Sequence, residues 1–177
     1  MLTLTELSSH FACLDDIKED DLPAYDKALR NLTQRHNLPV ASQRGRVFLY
    51  SEGGAAAIRL AQIASEFELS RYAIGALTSF MASTHHIPRP KPGLQPNMME
   101  EAARRVRAGE TFNVNLIMSA DFQYRCEADW VKEPVNEKVD ITLKQTGRDH
   151  AAELARFVLP ASRLIADVCR AFEDQDG

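Results

Sequence analysis

Between Lys27 and Tyr50 the chain carries Lys27, Arg30, Arg35, Arg44 and Arg46 and not one Asp or Glu, although the 177-residue sequence has a formal net charge of −4. Asn31 and Gln34 stand among them. Guanidinium forks and carboxamides are the groups that hydrogen-bond base edges in a DNA groove, while ammonium and guanidinium groups neutralise phosphates. Residues 1–26 hold seven Asp or Glu and a single Lys. A basic run that merely balances its acidic neighbour is therefore the competing explanation, and charge alone does not choose. What phosphate responds to is the local field of a patch rather than the sum over the chain.

Other chemistries lack their residue patterns. His10, His36, His85, His86 and His150 show no His-x-x-x-His spacing, and Cys13, Cys126 and Cys169 are too far apart for a metal knuckle. Gly53-Gly54 runs into alanines without the Lys-Ser/Thr pair of a phosphate loop, and no nucleophile motif is recognisable. Trp130 and Tyr124 would sit on one strand face, where aromatic residues more often pack a core than line a ligand pocket. The reading is no enzyme, no catalytic residue, no metal and no cofactor. Three distant cysteines point to a reducing cytoplasm; the opening residues show neither the basic nor the apolar region of a secretory leader, so secretion is not expected, and the apolar runs are too short to span a membrane.

The elements that must position the basic residues follow from periodicity. Leu4, Leu7, Phe11 and Leu14 recur at helical spacing over 3–14, with Thr3 and Glu6 as a capping box. After the acidic stretch 15–21, Asp21 and Pro23 open a second helix, which buries Tyr25, Ala28, Leu29 and Leu32 and turns Lys27, Arg30, Asn31, Gln34 and Arg35 to solvent. Asn37, Leu38 and Pro39 end it. Residues 40–50 predict a hairpin with its turn around Arg44-Gly45-Arg46. Two amphipathic helices follow: one carries Ile58, Leu60, Ile63 and Phe67, and the next, capped by Ser70, carries Ile74, Leu77, Phe80 and Met81.

Alternating prolines at 88, 90 and 92 predict an extended linker over 83–96, although the same segment packed on its own domain would fuse the two halves. Beyond it a helix is expected over 98–108, with Asn97 and Glu100 as its capping pair and Gly109 closing it. Strands are expected at 112–116, along a face of Phe122, Tyr124, Cys126, Ala128 and Trp130, and along a face of Val139, Ile141 and Leu143. A long apolar helix over 150–172, kinked at Pro160, would end the chain. The fold class is α+β. A module over 1–82 and the linker over 83–96 lead into an α-β-β-β-α domain over 97–177 with an antiparallel sheet.

Leu29-Arg30, then Asn37-Leu38-Pro39, Arg44-Gly45-Arg46 and Tyr50-Ser51-Glu52 together resemble the DNA-binding part of MerR-type winged helix-turn-helix regulators. The likeness covers residues 22–82. That family shows a Leu-Arg recognition helix, a Gly-Leu-X-Pro exit, a basic hairpin wing and a Tyr-Ser/Thr-Glu/Asp restart. The resemblance implies that Arg30, Asn31, Gln34 and Arg35 lie near the major groove, and that Arg44 and Arg46 reach phosphate or an adjacent minor groove. Three departures stand out: the acidic insert after Leu14, Asn31-Leu32 in place of the family's aromatic pair, and no long dimerisation helix after the wing helices.

The expected function is a sequence-specific, double-stranded-DNA-binding transcriptional regulator of bacterial or phage type, acting as a dimer or higher oligomer. Its partner surface would be the apolar face of Leu154, Phe157, Val158, Leu164, Ile165 and Val168, since one small module buries little surface on DNA. The alternatives are an architectural DNA protein of the excisionase or small-terminase kind, and a protein-binding adaptor that keeps the fold without DNA. The acidic run 15–21 motivates the adaptor.

Overall fold

The computed structural model describes residues 1–36, 38–83, 97–130 and 152–173. Its elements are β1 (Leu2–Thr3), α1 (Leu4–Leu14), a 3-10 turn (Glu19–Asp21), α2 (Leu22–His36), β2 (Ser42–Arg44), β3 (Val47–Tyr50), α3 (Glu52–Glu66), α4 (Arg71–Ala82), α5 (Met98–Arg107), β4 (Val114–Ser119), β5 (Tyr124–Ala128), β6 (Glu153–Leu159) and α6 (Ala161–Glu173). The class is α+β, with two three-stranded antiparallel sheets ordered β1-β3-β2 and β5-β4-β6.

Helix α3 is the axis. It reads E-G-G-A-A-A-I-R-L-A-Q-I-A-S-E, and residues 53–62 are buried without interruption. A helix buried on all sides must offer small side chains where neighbours cross it closely. A Cβ on Gly53 would stand 2.6 Å from the backbone nitrogen of Glu100, and one on Gly54 would stand 2.8 Å from the Pro39 carbonyl oxygen. These glycines admit α5 on one side and the chain entering the hairpin on the other. Ser51 caps α3 by accepting from the Gly54 N–H at 3.1 Å and donates its hydroxyl to the Glu100 carboxylate. At the same end Arg107 of α5 bonds Glu52 at 2.8 and 2.5 Å and Glu173 of α6 at 2.9 Å.

Local signals at several element ends act as expected. Thr3 and Glu6 form the full capping box, Ser70 caps α4, and Asn97 accepts from the Met99 and Glu100 N–H groups. The Glu100 carboxylate does not close a box there, because Ser51 takes it. Gly45, at φ +63° in the turn between Arg44 and Val47, supplies the positive φ that a two-residue hairpin turn needs.

Three larger expectations are corrected. Residues 153–159 are a strand rather than the first part of a helix. Leu154, Phe157 and Val158 satisfy helical spacing, but β4 pairs with the whole segment, from Val114↔Leu159 to Ser119↔Glu153. Pro160 does not kink a helix; it stands between β6 and α6, where its missing N–H costs nothing because a helix's first donors have no intrahelical partner. Phe122 is not part of the second strand's face: it lies in the β4–β5 turn at φ +58° and is exposed. Trp130 follows that strand, edge-on to Phe112 and beneath the Arg105 guanidinium.

The third correction concerns domains. One hydrophobic core runs from Leu2, Phe11 and Leu29 through Ile58, Leu60 and Leu77 to Met99, Val114, Leu159, Ile165 and Val168. The described parts of 1–82 and 97–177 therefore do not have separate cores. The Met98 N–H bonds the Ser83 carbonyl at 2.9 Å, so the chain is pinned together on either side of 84–96 rather than held apart. Residues 84–96 and the expected strand face of Val139, Ile141 and Leu143 lie outside the described residues.

Glycine substitutions separate close approach from simple helix propensity. Gly53→Ala should cost about 1–3 kcal/mol, because the added methyl meets backbone that cannot turn aside. Gly75→Ala in α4 has open space and should stabilise by about 0.4–1 kcal/mol. Urea unfolding of the two variants measures both signs.

Candidate nucleic-acid interface

On α2, Leu29 and Leu32 are the buried residues. At 100° per residue the side opposite them holds Lys27, Arg30, Asn31 and Gln34, and all four are exposed. This helix face looks onto the hairpin. Between the start of α1, the face of α2 and β2–β3 lies an open cleft of about 580 Å³, lined by Thr3, Thr5, Arg30, Thr33, Gln34, Leu38, Val40, Arg46, Val47, Phe48 and Tyr50 with Leu4. Residues 40–48 are all exposed, so the hairpin tip projects from the body. The Gln43 side-chain amide donates to the Gly45 carbonyl at 2.8 Å and braces the turn that carries Arg46.

Of the seven residues singled out in the sequence, Arg30, Gln34 and Arg46 line this cleft together. Lys27 and Asn31 share the exposed face of α2, and Arg44 is exposed on β2 opposite Val47. Arg35 is different. One step further round the helix, it lines a separate cleft with His36, Arg71 and Tyr72. Arg30 is also partly engaged: its Nε donates to Asp26 at 2.8 Å, and Nη2 lies 3.5 Å from the Thr5 hydroxyl. Its side chain stays half exposed at 51 %, and an i,i+4 pair in water is worth only about 0.3–0.5 kcal/mol, so the guanidinium is easily recruited elsewhere.

Sequence reasoning missed what holds α2 in place. Arg59, 5 % exposed on α3, donates to both Asp15 carboxylate oxygens at 2.7 and 2.5 Å. Tyr25 of α2 donates its hydroxyl to Asp15 at 2.8 Å and receives the Gln62 amide at 2.6 Å. Burial by itself would raise the Asp15 carboxyl, but the hydrogen bonds from Arg59 and Tyr25 outweigh it and hold it below its ordinary value. Burial likewise drives the Tyr25 phenol upward, so it remains a donor. The one signal in the sequence was Arg59 standing among the small and apolar residues of 53–61.

The network also places the acidic run. Asp15 turns inward, and Asp21 borders a shallow cleft with Tyr25, Ala28 and Ile63. That side of α2 is across the helix from Arg30 and Gln34. The acidic stretch thus abuts the other flank of α2 rather than the basic face.

The six residues expected to join protomers are divided by the fold. Ile165 and Val168 are fully buried within the chain's own core, and this corrects their assignment to an interface. Each such side chain gains about 1.5–3 kcal/mol by leaving water, which fixes its direction inward. Phe157 and Leu164 are half-buried against the same core, with Phe157 edge-on to Phe67 at 5.2 Å. Leu154 and Val158 are exposed on β6.

Among the described residues no group of three His, Cys, Asp or Glu converges as a metal site, and no helix is long and apolar enough to cross a membrane. Burial pushes the Cys126 thiol up to about 12 and the Cys169 thiol up to about 11, so both are protonated at neutral pH. No family model, curated protein or solved structure matches the chain.

Removing Asp15 strands a buried guanidinium. Asp15→Ala should destabilise by about 3–5 kcal/mol, and adding Arg59→Met should recover much of it, because the uncompensated charge leaves with its partner. Because the folded-state carboxyl is held low, its contribution is complete above the ordinary value of 3.8 and is lost as pH falls through the lowered one. Unfolding free energies of the three proteins between pH 3 and 7 should show a smaller acid-range loss in both variants than in wild type, the remainder coming from other carboxyls held low, such as Glu101 and Asp129.

Proposed function

We propose that the protein is a sequence-specific DNA-binding regulator whose residues 22–82 act as a winged helix-turn-helix of MerR type, with α2 in the major groove and β2–β3 as the wing. The observation that carries this is the exposed basic surface: Lys27 and Arg30 on α2 and Arg44 and Arg46 on the hairpin, with no acidic residue between 27 and 50 and the two segments flanking one open cleft. A guanidinium and a carboxamide at positions 30 and 31 suit base edges, while Arg44 and Arg46 on a projecting hairpin suit backbone phosphates. Asp15 and Asp21 of the acidic run border the other flank of α2, and the carboxylate that meets the basic face is Asp26, at Arg30. Two copies bound to neighbouring half-sites would raise both affinity and discrimination. In such an oligomer Leu154 and Val158, exposed on β6, are the members of the expected apolar set open to a partner.

A protein-binding adaptor is the second reading, favoured by the exposure of Val40, Val47 and Phe48 beside the arginines. An apolar rim in a mixed cleft suits a peptide as well as a thymine methyl. An architectural DNA protein would use the same surface on arrayed sites, and footprinting separates it from a regulator that protects a single promoter site.

Fluorescence polarisation with duplex DNA at two salt concentrations tests the proposal. Affinity should fall steeply with salt. Arg44→Ala with Arg46→Ala should weaken binding to every sequence and reduce the salt slope by about two. Arg30→Ala or Asn31→Ala should also flatten sequence preference, by about 1–3 kcal/mol per discriminated base. Asp26→Asn, which releases Arg30, should tighten binding. Wild-type affinity for duplex that is weak and insensitive to salt would leave the adaptor reading. Light scattering that finds a monomer on and off DNA would remove the oligomer.

A further inference from the structure

The cleft between the end of α2 and the start of α4 gathers Arg35, His36, Arg71 and the exposed Tyr72, with Thr78 and Ser79 on the wall formed by α4. Arg35 and Arg71 are both exposed, and among the described residues neither guanidinium has a carboxylate within 4.0 Å. No Asp or Glu among the described residues lines the cleft. Eight other arginines, Arg30, Arg59, Arg104, Arg105, Arg107, Arg125, Arg156 and Arg170, meet carboxylates; among the described residues Arg44, Arg46 and Arg163 do not, but Arg35 and Arg71 are the two without a carboxylate that share a cleft.

Helix electrostatics account for half of this cluster. Arg35 and His36 occupy the last turn of α2, where a cation offsets the negative end of the helix dipole. Arg71 is the first residue of α4, at the positive end of that helix, where a cation is disfavoured. It is brought beside two other basic groups from a distant part of the sequence, and among the described residues no carboxylate repays that repulsion. An anion in the cleft would.

We propose that Arg35, His36 and Arg71 form a binding site for a phosphate group, separate from the cleft between α2 and the hairpin. Two guanidinium groups on neighbouring helices grip a tetrahedral oxyanion from two directions, and the hydroxyls of Tyr72 and Ser79 add neutral donors, the Thr78 hydroxyl being committed to the Gly75 carbonyl. Burial, with the charges of Arg35 and Arg71, holds the His36 imidazole below its usual value. Arg35 on α2 and Arg71 and Tyr72 on α4 are the titratable groups facing it across the cleft. A bound anion reverses the field, so the imidazole takes up a proton more readily, and for an anion of fixed charge, such as sulfate or a phosphodiester, binding strengthens as pH falls. The phosphate belongs either to a DNA backbone, extending the footprint of the proposed reading head along α4, or to a free phosphorylated small molecule. Only the first source rests on the DNA reading.

The experiment follows the His36 ring by NMR in the full chain, titrated from pH 5 to 8 with and without inorganic phosphate. A parallel series uses sulfate, which keeps its charge throughout. Saturable shifts of the His36 ring and an upward move of its midpoint are expected in wild type. Arg71→Gln should weaken phosphate binding about tenfold or more by removing charge-assisted hydrogen bonds. Arg30→Ala should leave this titration unchanged. Absence of a saturable shift in wild type, or a shift that survives Arg35→Gln with Arg71→Gln, overturns the site.

Both arginines are exposed, so the variants should fold, and the amide spectrum checks that they do. The source is separated by duplex polarisation on the same proteins. A backbone phosphate predicts a salt slope about two smaller in the double variant; an unchanged slope assigns the site to a small phosphorylated ligand. Loss of all duplex binding by wild type would end the DNA reading while the phosphate titration still stood.

Discussion

Close approach of backbones at the start of α3 is the constraint on which the rest of the structure depends. Gly53 admits the first turn of α5 and Gly54 admits the Pro39 carbonyl, so one helix end receives a contact from each half of the sequence. The alanines that follow extend the same permission along the helix. Small side chains gain little by leaving water themselves, but they let Leu29, Leu60, Met99, Ile165 and Val168 pack into one core. The polar ties at that end, Ser51 to Glu100 and Arg107 to Glu52 and Glu173, then fix the angle at which the helices cross.

A buried polar network gives α2 its orientation in the same way. Arg59 cannot remain charged in the interior without Asp15, and Asp15 in turn holds Tyr25 on α2. With Tyr25 and the Leu29–Leu32 side directed inward, Lys27, Arg30, Asn31 and Gln34 have only the outer face left. The cost of an unpaired buried charge thus sets which residues of α2 meet solvent beside the hairpin. The acidic residue that enforces this belongs to the insert that had seemed to oppose a phosphate-binding surface.

Legibility in the sequence followed the range of the interactions. Thr3, Ser70 and Asn97 cap helices through hydrogen bonds to residues two or three positions away, so the residue types alone reveal them. The hairpin needed only Gly45 in a turn followed by the β-formers of 47–50. Residues 153–159 were misread because Leu154, Phe157 and Val158 fit a helix as well as a strand, and what decides is β4, some forty residues away. Ile165 and Val168 looked available to a second chain because an apolar helix face carries no label for what covers it. The two-domain division failed for a related reason: prolines between two segments say nothing about whether the flanking chain is pinned together, as Ser83 and Met98 are.

By itself, then, the sequence determined the α+β class, the ends of several helices, the hairpin and the presence of a basic stretch free of acid. Each depends on short-range backbone chemistry or on composition. Tertiary structure alone decided that both halves share a core, that Glu100 serves Ser51, and that Arg59 is neutralised by Asp15. It also divided the basic residues, grouping Arg30, Gln34 and Arg46 in one cleft and Arg35 with Arg71 in another. Such pairings join residues far apart in the chain, and their partners are set by which surfaces pack together rather than by any local pattern.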